Sequence, residues 1–125
     1  MSKTTIFSIY NRFRSFGYAF SGIYVLMSSQ HNAWIHAFLS VMVVMAGFLF
    51  QVTVIEWIML IFAIAIVFIA EALNTAIELL CDFVSPDHQE LIKKTKDVAA
   101  GAVLIAAMGA AIIGVIIFLP YLRTF

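Results

Sequence analysis

Residues 71–82 read EALNTAIELLCD, three carboxylates and a carboxamide at the end of a run otherwise built from Leu, Ile, Ala, Phe and Val. At about 100° per residue, Glu71, Asn74, Thr75, Glu78 and Asp82 fall on one face of a helix, so the polar groups form a stripe. Ionisable groups on one face of an apolar helix are costly to keep in a membrane and are usually functional. Carboxylate and amide oxygens suit a hard divalent cation, and magnesium commonly takes one or two carboxylates together with substrate phosphates. Zinc would need His or Cys at ligand spacing, whereas His31, His36 and His88 are scattered and Cys81 is alone. Lys96 and Asp97 lie in KKTKD, at the start of the next apolar run, and can meet the stripe from a neighbouring helix. Neither a GxxxxGK[ST] loop nor a Gly-rich kinase loop occurs, so a nucleotide would be held in another way. These residue types point to a metal and phosphate site without choosing the reaction.

The elements that position this stripe belong in a bilayer. Of the 125 residues, 64% are hydrophobic and 11% charged, more apolar side chain than one soluble core of this size can bury. Net charge is zero, which gives no bulk attraction to nucleic acid. Apolar runs predict three transmembrane helices over about 34–50, 54–83 and 97–119, the last ending near Pro120 because proline lacks an N–H and its ring clashes with the preceding turn. The N-terminal segment, about 5–29, mixes Phe and Tyr with Arg12 and Arg14, as expected of an amphipathic helix on the membrane surface. It lacks the continuous apolar stretch of a cleavable signal, so the N-terminus is expected to be retained. The expected fold is an all-α membrane protein forming a single domain over 1–125.

Six of the seven Lys and Arg residues flank one side of these spans and only Arg123 the other, which predicts a cytoplasmic N-terminus and a cytoplasmic loop between the second and third spans. A helix entering near Val54 and rising about 1.5 Å per residue reaches the far interface close to residue 73. The stripe therefore lies at the cytoplasmic edge. Ala102, Ala106, Ala110 and Gly114 recur every four residues in the third span, where small side chains allow close helix contact. Plainer roles suit other residues: Trp34 as an interfacial anchor, His36 as a satisfied polar group near the membrane edge, and Cys81 as a small buried hydrophobe. Asp82, Lys93 and Lys94 fit equally well as a solvated flank.

EALNTAIELLCD followed at fixed distance by KKTKDVAAGAVL resembles the small prokaryotic diacylglycerol kinase and undecaprenol kinase family of integral-membrane lipid kinases, and the resemblance spans most of the chain. It implies a homotrimer of three-span subunits that transfers the γ-phosphate of ATP, with Mg2+, to a lipid hydroxyl at the cytoplasmic face of the bacterial inner membrane. Glu71 matches the general base and Glu78 a metal ligand shared with the ATP phosphates, with Asn74 a neighbouring polar group. Lys96 and Asp97 match the nucleotide site, Asp87, His88 and Gln89 the loop that meets the nucleotide, and Tyr18 an aromatic of the surface helix near ATP. A desolvated carboxylate is a stronger base than a hydrated one, which suits the base role.

Two positions depart from the family pattern. Gln30 stands where a second metal-binding carboxylate is usual, so metal and ATP affinity should fall. Asn11 replaces an Arg, leaving Arg12 and Arg14 as substitutes. A non-catalytic membrane protein of the same fold that binds lipid or nucleotide is the principal rival. A proton-coupled exporter using Glu71 fits poorly, because it accounts for neither KKTKD nor the depth of the stripe. The wording of NTAIE and KDVAAGAVL looks closer to members acting on undecaprenol.

Overall fold

The computed structural model describes residues 8–85, 87 and 89–124, arranged as helices α1 (Ile9–Ser29), α2 (His31–Phe50), α3 (Val54–Val84) and α4 (Glu90–Arg123). Residues 5–7 of the expected surface helix lie outside the described residues. The three later helices are each long and apolar enough to cross a membrane. Their starts and stops follow local chemistry. Ser8 caps α1 by accepting from the Asn11 N–H, and α1 passes into α2 through the single extended residue Gln30. Thr53 and Glu56 form a capping box in which each side chain bonds the other's backbone N–H, so two of the orphan donors at the start of α3 are satisfied. Between α2 and α3, Gln51 takes a left-handed conformation at φ 54°, which folds the chain back within a few residues.

This turn makes α2 and α3 antiparallel. Near it Gly47 lies under the Trp57 ring, so close that a Cβ on residue 47 would sit 2.5 Å from Trp57 Cη2. Further along, His36 faces Glu71 and Gln30 faces Glu78. Helices α3 and α4 are likewise antiparallel: Lys96 pairs with Asp82 near their connection, and Tyr121 bonds Glu56 at the opposite end. Around that opposite end, Val52, Leu60 and Ile117 are buried and packed by Val43, Phe50, Trp57, Ile113 and Phe118. One end is a tight aromatic and aliphatic knot, and the polar stripe stands at the other.

Two boundaries differ from expectation. Helix α4 begins at Glu90, several residues before 97, so Lys93, Lys94 and Lys96 stand on helix rather than on a loop. It also continues through Pro120 to Arg123. Proline costs one backbone hydrogen bond, but Phe118 and Tyr121 pack on Phe50 on either side of it, with ring centroids 6.1 and 5.8 Å away, and the Tyr121 hydroxyl donates to Glu56 at 2.6 Å. Those contacts hold the last turn in its helical course. Helix α3, at 31 residues, is about 46 Å long against a hydrocarbon core of about 30 Å, so its final turns project beyond the crossing.

Candidate active site

The stripe on α3 faces inward over its first half and outward at its end. Glu71 is 1% exposed, and Asn74 and Thr75 are also buried; Glu78 is half-buried and Asp82 exposed. The Thr75 hydroxyl donates to the Glu71 carbonyl at 2.9 Å, a contact within α3 that leaves the Glu71 carboxylate unengaged. That carboxylate meets α2 instead: His36 Nε2 stands 3.2 Å from Glu71 Oε1. The N–H direction is off line, so Oε1 has no hydrogen-bond partner despite the short distance. Two helical turns along α3, about 10 Å away, Gln30 Nε2 donates to Glu78 Oε1 at 3.1 Å. Gln30 reaches that position because it is the junction between α1 and α2, with its backbone N–H held by the Leu26 carbonyl.

Gln30 and Glu78 are thus neighbours across 48 residues of chain, as the metal-site expectation requires. The amide currently presents its donor to Glu78; ligation by Gln30 needs the amide turned so that its oxygen faces the same space. One carboxylate and one amide oxygen make a hard, oxygen-only donor pair. Among the described residues no three His, Cys, Asp or Glu side chains gather as a metal cluster. Such a pair fits an ion whose remaining ligands are phosphate and water, as magnesium prefers, and is unsuited to zinc.

Four of the residues expected at a nucleotide line one cavity of about 300 Å³: Asp87 and Gln89 from the connection, and Lys96 and Asp97 from α4, with Ser85, Ile92 and Lys93 completing it. The cations there are already paired. Lys96 Nζ donates to Asp82 Oδ1 and Lys93 Nζ to Asp97 Oδ2, each at 2.7 Å and substantially exposed. Exposed pairs of this kind contribute at most about 1 kcal/mol, so an incoming polyphosphate can compete for both lysines at low cost. His88 lies outside the described residues. Tyr18 and Arg12 are on the exposed surface of α1 and do not line this cavity; Tyr18 accepts a hydrogen bond from Arg14 at 2.9 Å.

Two residues given plainer roles by sequence stand at the site. Lys93, which suited a solvated flank, lines the cavity beside Lys96. His36, expected to be merely satisfied, faces the most deeply buried acid of the chain. Antiparallel pairing could have revealed the latter: once Gln30 is set opposite Glu78, moving one way along α2 and the other way along α3 brings His36 level with Glu71. The Asn74 Oδ1 atom is buried without a hydrogen-bond partner, and Asn74 borders an open apolar groove of about 860 Å³ between α3 and α4, with Lys94 and Thr95 along its α4 wall.

Comparison with known proteins gives the family. The model of the prokaryotic diacylglycerol kinase family matches residues 17–118, most of the chain. The chain belongs to that family. It is 41% identical over 110 residues to an undecaprenol kinase of Bacillus subtilis, covering 88% of this chain and 89% of that protein. It is also 41% identical over 107 residues to a diacylglycerol kinase of Synechocystis, covering 85% of this chain and 61% of that longer protein. The enzymatic class follows: the chain is a membrane lipid kinase.

Proposed function

We propose that the chain phosphorylates the terminal hydroxyl of a membrane lipid with ATP and Mg2+, Glu71 serving as general base and Glu78 as the principal metal-binding carboxylate. The observation that carries this is the gathering of three different kinds of site at one end of the helices. There are a buried carboxylate at Glu71, an oxygen donor pair at Glu78 and Gln30, and a cavity with two displaceable lysines. Phosphoryl transfer asks little covalent chemistry of a protein, so positioning and charge neutralisation by a few groups can be sufficient.

In this reading Lys93 and Lys96 leave their carboxylate partners and hold the polyphosphate. Glu78 and Gln30 would hold the magnesium ion, which would neutralise phosphate charge when bound. Glu71, shielded from water inside the helices, accepts the proton of the lipid hydroxyl as its oxygen attacks the γ-phosphorus. Asn74 Oδ1 offers an acceptor beside the α3–α4 groove for a donor from the lipid or from another subunit. Tyr18 and Arg12 come to the nucleotide from α1, lying on the cytoplasmic surface of the inner membrane.

A homotrimer suits the open faces of a single chain. A Cβ added at Gly101 or Gly109 of α4 would meet nothing within 4 Å, and large apolar side chains are exposed along every helix, as lipid-facing or subunit-facing positions would be. Of the two relatives, the one covered nearly end to end is an undecaprenol kinase, which supports an isoprenoid alcohol as acceptor over diacylglycerol. Purified protein incubated with γ-labelled ATP and a panel of undecaprenol, diacylglycerol and shorter alcohols in mixed micelles tests this. Label in undecaprenyl phosphate is the expected result. No labelled lipid at any magnesium concentration would overturn the reading.

A further inference from the structure

Among the described residues, His36 stands against the Glu71 carboxylate, and the reading above leaves it without a task. It is not part of the stripe: it comes from α2, 35 positions before Glu71, and reaches it only because the turn at Gln51 reverses the chain. Its own exposure is 18% and that of Glu71 is 1%, so the pair is largely screened from water. On its other side His36 borders a cavity of about 250 Å³ between α2, α3 and α4. The α4 wall of that cavity is Ala107, Ala110, Ala111 and Gly114, and the α3 wall is apolar, so neither offers His36 an alternative polar side chain. A buried carboxylate with an oxygen lacking any donor is expensive to maintain, and His36 Nε2 stands 3.2 Å from that oxygen.

We propose that His36 is a positioning residue for the transfer reaction: in its Nε2–H form it donates to Glu71 Oε1 and so aims the other carboxylate oxygen at the lipid hydroxyl. This rests on Glu71 being the base. The off-line geometry of the present pair closes by rotation of the imidazole, and catalytic hydrogen bonds commonly tighten only when substrate is bound. His36 gives up no proton in the step. Glu71 Oε2 takes the hydroxyl proton, the lipid oxygen forms its bond to the γ-phosphorus, and the bond between that phosphorus and the bridging oxygen breaks to release ADP. The role of the imidazole is to restrict the carboxylate to one orientation, since a misplacement of about 1 Å at a reacting group can cost on the order of 10²-fold in rate.

His36→Gln and His36→Met separate positioning from packing. The two side chains are similar in size, but only Gln carries a terminal N–H that can occupy the place of Nε2. His36→Gln is expected to keep kcat within about tenfold of the parent, and His36→Met to lower it by roughly 10²-fold, both with the KM for ATP unchanged. A packing role predicts the reverse order, because Met suits an apolar cavity better than an amide. Equal kcat in the two variants, high or low, overturns the assignment, as does a raised KM for ATP in His36→Met. Absence of lipid phosphorylation by the parent protein would instead remove the kinase reading itself, so the two failures are distinct.

Discussion

Replacing Gln30 by Glu probes the weakest part of the donor set. In the structure the Gln30 amide donates to Glu78 at 3.1 Å, so Gln30→Glu exchanges an attractive contact for two like charges in the same space. A hydrogen bond to a charged group contributes about 1.5–3 kcal/mol, and two unit charges about 4 Å apart repel by about 4 kcal/mol at an effective dielectric of 20. Both residues are half-buried rather than enclosed, so solvent screening brings the net metal-free cost down to roughly 2 kcal/mol. A divalent ion reverses the sign, because the second carboxylate becomes a ligand rather than a repelled neighbour. The variant should therefore be less stable than the parent without magnesium and regain that loss as magnesium is added. In activity, the half-saturating magnesium concentration should fall by about tenfold, equivalent to about 1.4 kcal/mol of tighter binding. The assay is initial rate against magnesium at fixed saturating ATP, with thermal unfolding in detergent measured across the same titration. Superimposable rate curves for parent and variant would refute a metal between residues 30 and 78, whatever the stability data show.

Other substitutions divide the molecule by role. Glu71→Gln should lower kcat by 10²-fold or more, roughly the contribution of a general base, while nucleotide binding measured by equilibrium dialysis stays near the parent value. Lys96→Met removes a partner of an exposed ion pair, so the unfolding midpoint should hardly move whereas the KM for ATP should rise several-fold in steady-state assays. At the far end, Tyr121→Phe deletes the donor to Glu56 and should lower the unfolding midpoint in denaturant titrations with the KM for ATP unaltered. Gly47→Val has no room beneath Trp57 and should cost about 1–3 kcal/mol in the same assay.

The sequence made legible whatever depends on one helix at a time, and much less of what depends on two. Apolar run length alone identified the three spans, and the positions of Glu71, Asn74 and Thr75 on a common buried face follow from helical periodicity. Gln30 beside Glu78 was expected from family resemblance, since nothing local links residues so far apart. His36 shows the remaining gap. Seen along α2 it is a polar residue near the end of a span, with nothing to distinguish it from an anchor; its meaning lies in the register between α2 and α3, which is fixed by Gln51 and by Gly47 under Trp57 at the other end of both helices. Pro120 failed as a stop signal for the same reason, because contacts from Phe50 and Glu56 on other elements outweigh a local preference. A consequence follows for the chemistry. The tight knot at one end sets the register that brings His36 level with Glu71 and Gln30 level with Glu78 roughly a membrane's thickness away. A change at that knot which shifts α2 along α3 by one residue would misalign both pairs together, slowing transfer without touching a group that meets substrate.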